Sequence, residues 1–199
     1  MADQREFRID GGATWLNLLA TRGRSFGARP VERLADPEAA HRWLALMGWA
    51  PTAAVTETQR ERLVALREAL RDLAMAAVSR AEPSPTAADL VHRAAAGHPH
   101  PLDSPAAPVE EAIRAIATQA LVTLRGPDRL LLAECAESDC RWVFLDTSGR
   151  RHWCPAPECA SRGRVRAHRF TLSADGTSSL VSSSRIPPSS FAVSGMRPA

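Results

Sequence analysis

The chain lacks lysine and tyrosine altogether, so all 25 of its basic residues are arginine. That bias fits a GC-rich genome better than it marks a function. No run approaches the roughly 18 apolar residues of a membrane span, and Met1-Ala2-Asp3-Gln4-Arg5-Glu6 lacks the apolar core of a signal peptide. A cytoplasmic, reducing location is the expectation, with no membrane partner. Aromatic residues are scarce at 5%, and there are only four cysteines. No glycine spacing matches a phosphate-binding loop. The sequence shows no Ser/His/Asp arrangement, no carboxylate pair in an apolar setting and no cofactor fingerprint, so the expectation is a protein that is not an enzyme.

The four cysteines form two pairs of equal spacing: Cys135 and Cys140, then, after thirteen residues, Cys154 and Cys159. Each C-x4-C pair can turn two sulfurs toward one point, which is what a tetrahedral thiolate zinc site needs. Two disulfides, unrelated core thiols or a redox switch are the alternatives. Four protein ligands close the shell to water and make the zinc structural. His152 and His168 read as surface or hairpin residues. The insert reads as a β-hairpin: Arg141–Leu145 as one strand, Asp146-Thr147-Ser148-Gly149 as the turn, Arg150–Trp153 as the return. A short basic helix is expected after it, with Cys159 near its N-terminus, where free N–H groups favour thiolate charge.

These residues resemble the CGNR zinc finger: Cys-x4-Cys-Arg-Trp-x-Phe-x-Asp-x-Ser, then Arg-x-Trp-Cys-x4-Cys-x-x-Arg and a basic tail, over residues 135–169. Cys159-Ala160-Ser161-Arg162 keeps the motif's Cys and Arg and replaces its Gly and Asn. The resemblance implies an N-terminal helical ABATE domain and a bacterial transcription regulator. Asn17, in the apolar run at the start, fits the Asn of the ABATE opening, while Leu18 stands where Thr is common. Asn17 is either a bracket between helices or part of a ligand pocket, since a buried amide needs partners.

The fold class expected is mainly α: a helical domain over 1–130, a treble-clef-like finger (hairpin plus short helix) over 131–169, and a disordered Ser/Pro-rich tail over 170–199. Trp15, Leu16, Leu18 and Leu19 face the core from a short helix. A polar, basic connection over 22–35 reads as solvated. Asp36, Pro37 and Gly48 punctuate the next helix. Thr56 and Gln59 make a capping box for a long helix to about Arg80. Its Leu63, Leu66, Leu70 and Leu73 form an amphipathic stripe, a bundle seam in preference to a homodimer seam. Arg60, Glu61, Arg67, Glu68, Arg71 and Asp72 read as its solvated face. His92, His98 and His100 read as loop histidines and not as a metal cluster, because the last two precede proline. Ser104-Pro105 opens the last helix, whose face runs from Val109 to Leu124. Arg129–Ala133 then enters the finger as a strand. No flexible spacer separates them, so the finger is expected to dock on the helices.

Positive charge concentrates in the finger: 135–169 hold seven arginines and four acids, whereas 1–134 hold 16 and 17. Arg162, Arg166 and Arg169 recur at i, i+4 and i+7, with Arg164 and Arg141 flanking them, which suits phosphate contacts and guanine reading in duplex DNA. Arginines beside a zinc–thiolate centre can instead balance its charge. The alternative function is a protein-interaction or RNA-binding module. A small-molecule effector of the helical domain is a third reading, since an apolar pocket leaves no sequence signature.

Overall fold

The computed structural model describes residues 7–51, 53–96 and 109–166. Helix α3 (Glu57–Ser79) is its longest element and starts as its cap predicts. Thr56 Oγ1 accepts from the Gln59 N–H at 3.2 Å, and Gln59 Oε1 accepts from the Thr56 N–H at 3.0 Å. Leu63, Leu66 and Leu70 are fully buried. Each such leucine contributes on the order of 1.5–3 kcal/mol relative to exposure. The stripe is spent inside this chain: α3 packs on α4 (Pro85–Ala95), α5 (Val109–Arg125) and α1 (Thr14–Ala20). It is a bundle seam.

Short α1 has no side-chain cap. Its exposed end is satisfied from another helix, Gln119 Oε1 of α5 accepting from the Trp15 N–H at 3.2 Å. The Trp15 indole donates to Thr123 Oγ1 at 3.2 Å. Helix α2 (Pro37–Leu46) begins with Asp36 accepting from the Ala39 N–H at 2.7 Å and is followed by Gly48 at positive φ. Trp43 is buried and Trp49 half-buried. No helix among the described residues is long and apolar enough to cross a membrane.

Three expectations need correction. First, residues 22–35 are not a simple solvated connection. Arg22–Gly23 (β1) pairs with Val31–Glu32 (β2), and the loop between them holds the finger: the Phe26 N–H donates to the Asp139 carbonyl at 3.1 Å, and Arg24 meets the Asp139 carboxylate at 3.2 Å. Second, Arg67 is not on a solvated face of α3. It is 1% exposed and makes a two-pronged ion pair with Glu32 at 2.6 and 2.5 Å, with a third bond to Thr21 Oγ1 at 3.0 Å.

The third concerns the hairpin. Val143–Leu145 (β4) pairs antiparallel with Leu132–Glu134 (β3), which precedes the first cysteine pair, and not with residues 150–153. The first C-x4-C is therefore the hairpin's connection. Of the expected entering strand Arg129–Ala133, residues 129–131 instead belong to a 3-10 turn (Pro127–Leu131), and only Leu132 and Ala133 fall in β3. Asp146 explains why the chain does not return along β4. Its carboxylate accepts from Ser148 Oγ at 2.6 Å, the Ser148 N–H at 3.0 Å and the Arg151 N–H at 2.8 Å, which curls 146–151 into a closed turn. These bonds, the Ser148 hydroxyl foremost, hold the Asp146 carboxyl down at about 2.

The finger hairpin and the helices share one core, with Trp142, Val143 and Phe144 buried alongside Trp15, Leu16 and Leu70. The Trp142 indole donates to the Leu16 carbonyl at 2.9 Å, and the Leu145 N–H donates to the Gly11 carbonyl at 3.0 Å. The contact requires the Gly11-Gly12 pair. Gly12 has φ +88°, and a Cβ on it would lie 2.9 Å from Leu145 Cβ. Gly12→Ala is expected to cost about 1–3 kcal/mol through strain and overpacking, read as a lowered urea midpoint with unchanged slope.

The first compact unit runs through Gly163, and a second begins at Arg164. Residues 157–166 are helical. Arg169, the tail over 170–199, His98, His100, His168 and Ser104-Pro105 lie outside the described residues.

Candidate metal centre

Cys135 follows β3 directly, and its N–H donates to the Trp142 carbonyl at 3.0 Å, continuing the ladder into the loop. The Cys140 and Arg141 N–H groups both donate to the Glu137 carbonyl, at 2.9 and 3.0 Å, and Arg141 takes φ +45° to leave the turn. The second pair is tied to the first by the Ala136 N–H, which donates to the His152 carbonyl at 2.8 Å. Cys159 is the third residue of the helical stretch 157–166, so its sulfur lies in the first turn, as the sequence predicts.

All four cysteines are buried and none is in a disulfide. Their Sγ atoms lie within 4.8 Å of one another, and Cys140 Sγ is 4.0 Å from Cys154 Sγ. Sulfurs about 2.3 Å from a tetrahedral zinc ion stand about 3.8 Å apart, so the cluster is the size of one such shell. The electrostatics agree. Hydrogen bonding within the cluster, Cys135 foremost, drives the Cys154 thiol strongly down, and Arg8 adds to it. Cys135 is held at about 7 by bonding with Cys140, while Cys140 and Cys159 are pushed far up, each foremost by Cys135. Four packed sulfurs cannot all ionise by themselves, because like charges at this distance repel. A divalent cation at their centre removes the conflict. The cysteines are positioned to hold one zinc ion, with no ligand position left over.

Two arginines address the sulfurs. Arg162 Nη2 donates to Cys159 Sγ at 3.5 Å, so the arginine retained from the motif braces the centre. Arg8 Nη1 donates to Cys154 Sγ at 3.6 Å and stacks 4.1 Å over the Trp142 ring. Burial opposes the Arg8 charge, but Cys154, together with Asp10 and Cys140, more than offsets this, and the Arg8 pKa is raised. Sequence reasoning missed Arg8, since 146 residues separate it from its sulfur and no local pattern marks it.

The arginines expected to read nucleic acid fall into separate groups. Arg141 is engaged elsewhere: Nε donates to Glu134 Oε1 at 2.5 Å, and its guanidinium lies 4.7 Å over the Phe26 ring. Arg162 is half-buried against the metal centre. Arg164 and Arg166 are exposed. His92 Nε2 contacts Arg125 at 3.0 Å, and among the described residues no metal-holding group other than the four cysteines occurs. Asn17 is a bracket: Oδ1 accepts from the Gly11 N–H at 2.9 Å and Nδ2 approaches Met47 Sδ at 3.8 Å.

A helical body sharing its core with a zinc-holding hairpin and helix defines a treble-clef-like finger protein. Comparison with known families is specific. The ABATE family model, described as "Putative stress-induced transcription regulator", matches residues 12–143, and the CGNR zinc finger model matches 132–170. The chain belongs to the ABATE family and carries a CGNR zinc finger. The two matches overlap over 132–143, the hairpin that packs into the helical core. No curated protein matches the chain.

Proposed function

We propose that this chain is a DNA-binding transcription regulator whose zinc is structural and whose finger helix meets duplex DNA. The observation that carries the reading is the cysteine cluster at the start of the helical stretch 157–166, which displays exposed Arg164 and Arg166 and ends in residues rich in arginine. Membership of a family described as a transcription regulator supports it. Arg166 is the principal phosphate contact in this reading, with Arg164 and, three residues further along the chain, Arg169 as additional contacts. Arg162 and Arg141 serve the fold. A single finger offers few base contacts, so specific binding calls for a homodimer. A closed four-sulfur shell has no site for a catalytic water, and we read the protein as a non-enzyme of a reducing, cytoplasmic setting, where thiols stay free for metal.

The test is a duplex mobility shift. Arg166→Ala is expected to weaken binding about threefold to tenfold and to lower the salt slope by about one, as befits one phosphate contact, with zinc content unchanged. Unchanged duplex affinity would count against this surface. The protein-interaction or RNA-binding alternative gains from Ala160-Ser161 standing in place of the motif's Gly-Asn. It is favoured if single-stranded RNA binds as well as the duplex.

A further inference from the structure

A cleft of about 710 Å³ opens beside the metal centre, within the range of small-molecule sites. Arg8, Arg22, Arg24 and Arg33 line it from the N-terminal side, and Arg162 with Glu158 from the start of the finger helix. Ile9 and Val31, 40% and 45% exposed, add an apolar flank. Five guanidinium groups thus share one cavity with two carboxylates, those of Asp10 and Glu158.

The partners of these arginines show what is left over. Arg22 and Arg24 pair with Glu68 and Asp139, neither of which lines the cleft. Arg8 gives one arm to Asp10 and one to the Cys154 sulfur. Arg162 gives one nitrogen to the Cys159 sulfur, while its Nε is buried without a hydrogen-bond partner. The Arg33 guanidinium donates to the Ala20 carbonyl at 3.3 Å; Glu32 and Cys140 act on its charge at longer range, and among the described residues no carboxylate forms a direct ion pair with it. A partly desolvated guanidinium without a direct ion-pair partner is costly, and a buried N–H without an acceptor adds to that cost. Short-range pairing therefore leaves the Arg33 fork largely open and the Nε of Arg162 without an acceptor.

We infer that this cleft binds a small organic anion. Its carboxylate or phosphate group is held by Arg33 and Arg162, and its apolar body lies against Ile9 and Val31. Guanidinium forks suit both headgroups, as charge-assisted bonds in a sheltered site are stronger than neutral ones. The walls come from the N-terminal segment with the β1–β2 hairpin on one side and residues 156–162 of the finger on the other. Occupancy therefore fixes the start of the finger helix against the helical body. That this would alter DNA binding rests on the regulator reading above; the binding itself does not.

Calorimetric titration of the zinc-loaded full chain with phenyl phosphate tests the site, with inorganic phosphate, benzoate and phenol as the other arms. Saturable one-to-one binding of phenyl phosphate or benzoate is expected, weaker binding of inorganic phosphate and none of phenol. Arg33→Met is expected to lower affinity about tenfold to a hundredfold, the loss of a charge-assisted contact, with Arg33→Lys between the two and zinc content unchanged. Val31→Glu, which places a like charge at the exposed flank, is expected to do the same should Arg33→Met fail to fold. The inference is overturned if neither phenyl phosphate nor benzoate gives saturable heat, or if neither variant changes the affinity. Duplex affinity without added anion is expected to be equal in Arg33→Met and the parent. A loss matching that of Arg166→Ala would assign the cleft to the DNA backbone and also overturn the inference. If Arg166→Ala leaves duplex binding intact while phenyl phosphate still binds, the regulator reading fails and the anion site stands.

Discussion

Cys140→Ser is expected to abolish stoichiometric zinc binding and to lower the melting temperature by at least about 20 °C. The size follows from two quantities. Structural zinc contributes about 10–16 kcal/mol in small modules, and a chain of this length loses about 2–4 °C per kcal/mol. A serine hydroxyl is a poor substitute for a soft thiolate, and loss of outer-shell partners alone costs about 10–100-fold in metal affinity. From the sequence, loss of zinc is expected to unfold residues 135–169. The structure extends the damage. Cys135, Cys140, Cys154 and Cys159 belong to the same buried cluster as Trp15 and Leu16, and Trp142 is bonded to the Leu16 carbonyl. Loss of helical circular dichroism as well as of metal is therefore expected, together with a red shift of tryptophan fluorescence as Trp142 is released. A variant that keeps one bound zinc and the parent melting temperature would contradict this.

Arg67→Ala is expected to cost about 3–5 kcal/mol, the usual penalty for breaking a buried pair. The lower end applies, because the Glu32 side chain is 38% exposed and water can take up part of what is lost. The guanidinium is enclosed and bonds Glu32, Glu68 and Thr21 at once, so it joins α3 to both ends of the β1–β2 segment. That segment clasps the finger through Arg24 and Asp139. Arg67 thus lies one step from the metal centre, and its removal is expected to raise amide exchange at Phe26, whose N–H donates to the Asp139 carbonyl. In a double-mutant cycle, Glu32→Ala and Arg67→Ala are expected to couple by about 1–3 kcal/mol. Additive effects would mean the pair does not hold. The pH dependence has a defined sign. Burial raises the Glu32 pKa, but the Arg67 bonds outweigh it and hold the carboxylate below its ordinary value of 4.5. Its contribution is therefore fully present above that value and is lost as pH falls through the depressed folded value. The difference in stability between parent and Glu32→Gln should shrink on acidification below pH 4.5.

What could be read from the sequence was local. Thr56 with Gln59, Asp36 with Pro37 and the two C-x4-C pairs each carry their meaning within a few residues, and each forms as expected. What could not be read depends on partners far along the chain. Arg67 sits among charges on a helical wheel and looks solvated. Its burial is decided by Glu32, 35 residues away. Arg8 finds its sulfur across the whole fold. Asp146–Gly149 has the composition of a two-strand turn, so the sequence points to a return strand over 150–153, while the Asp146 carboxylate closes the turn on Ser148 and Arg151 instead. The short segment 132–134, adjacent to an apolar run, becomes the true partner of β4. Charge marks Arg141 as a phosphate contact, and no local pattern shows that Glu134 and Phe26 engage its guanidinium.

The arrangement of finger, helical body and arginines depends on one ion held by four sulfurs. X-ray absorption at the zinc edge, on protein purified under reducing conditions, tests this most directly. One zinc per chain with four sulfur neighbours at about 2.3 Å is the result expected. A folded protein without metal, or a shell in which nitrogen or oxygen replaces any of Cys135, Cys140, Cys154 and Cys159, would contradict it.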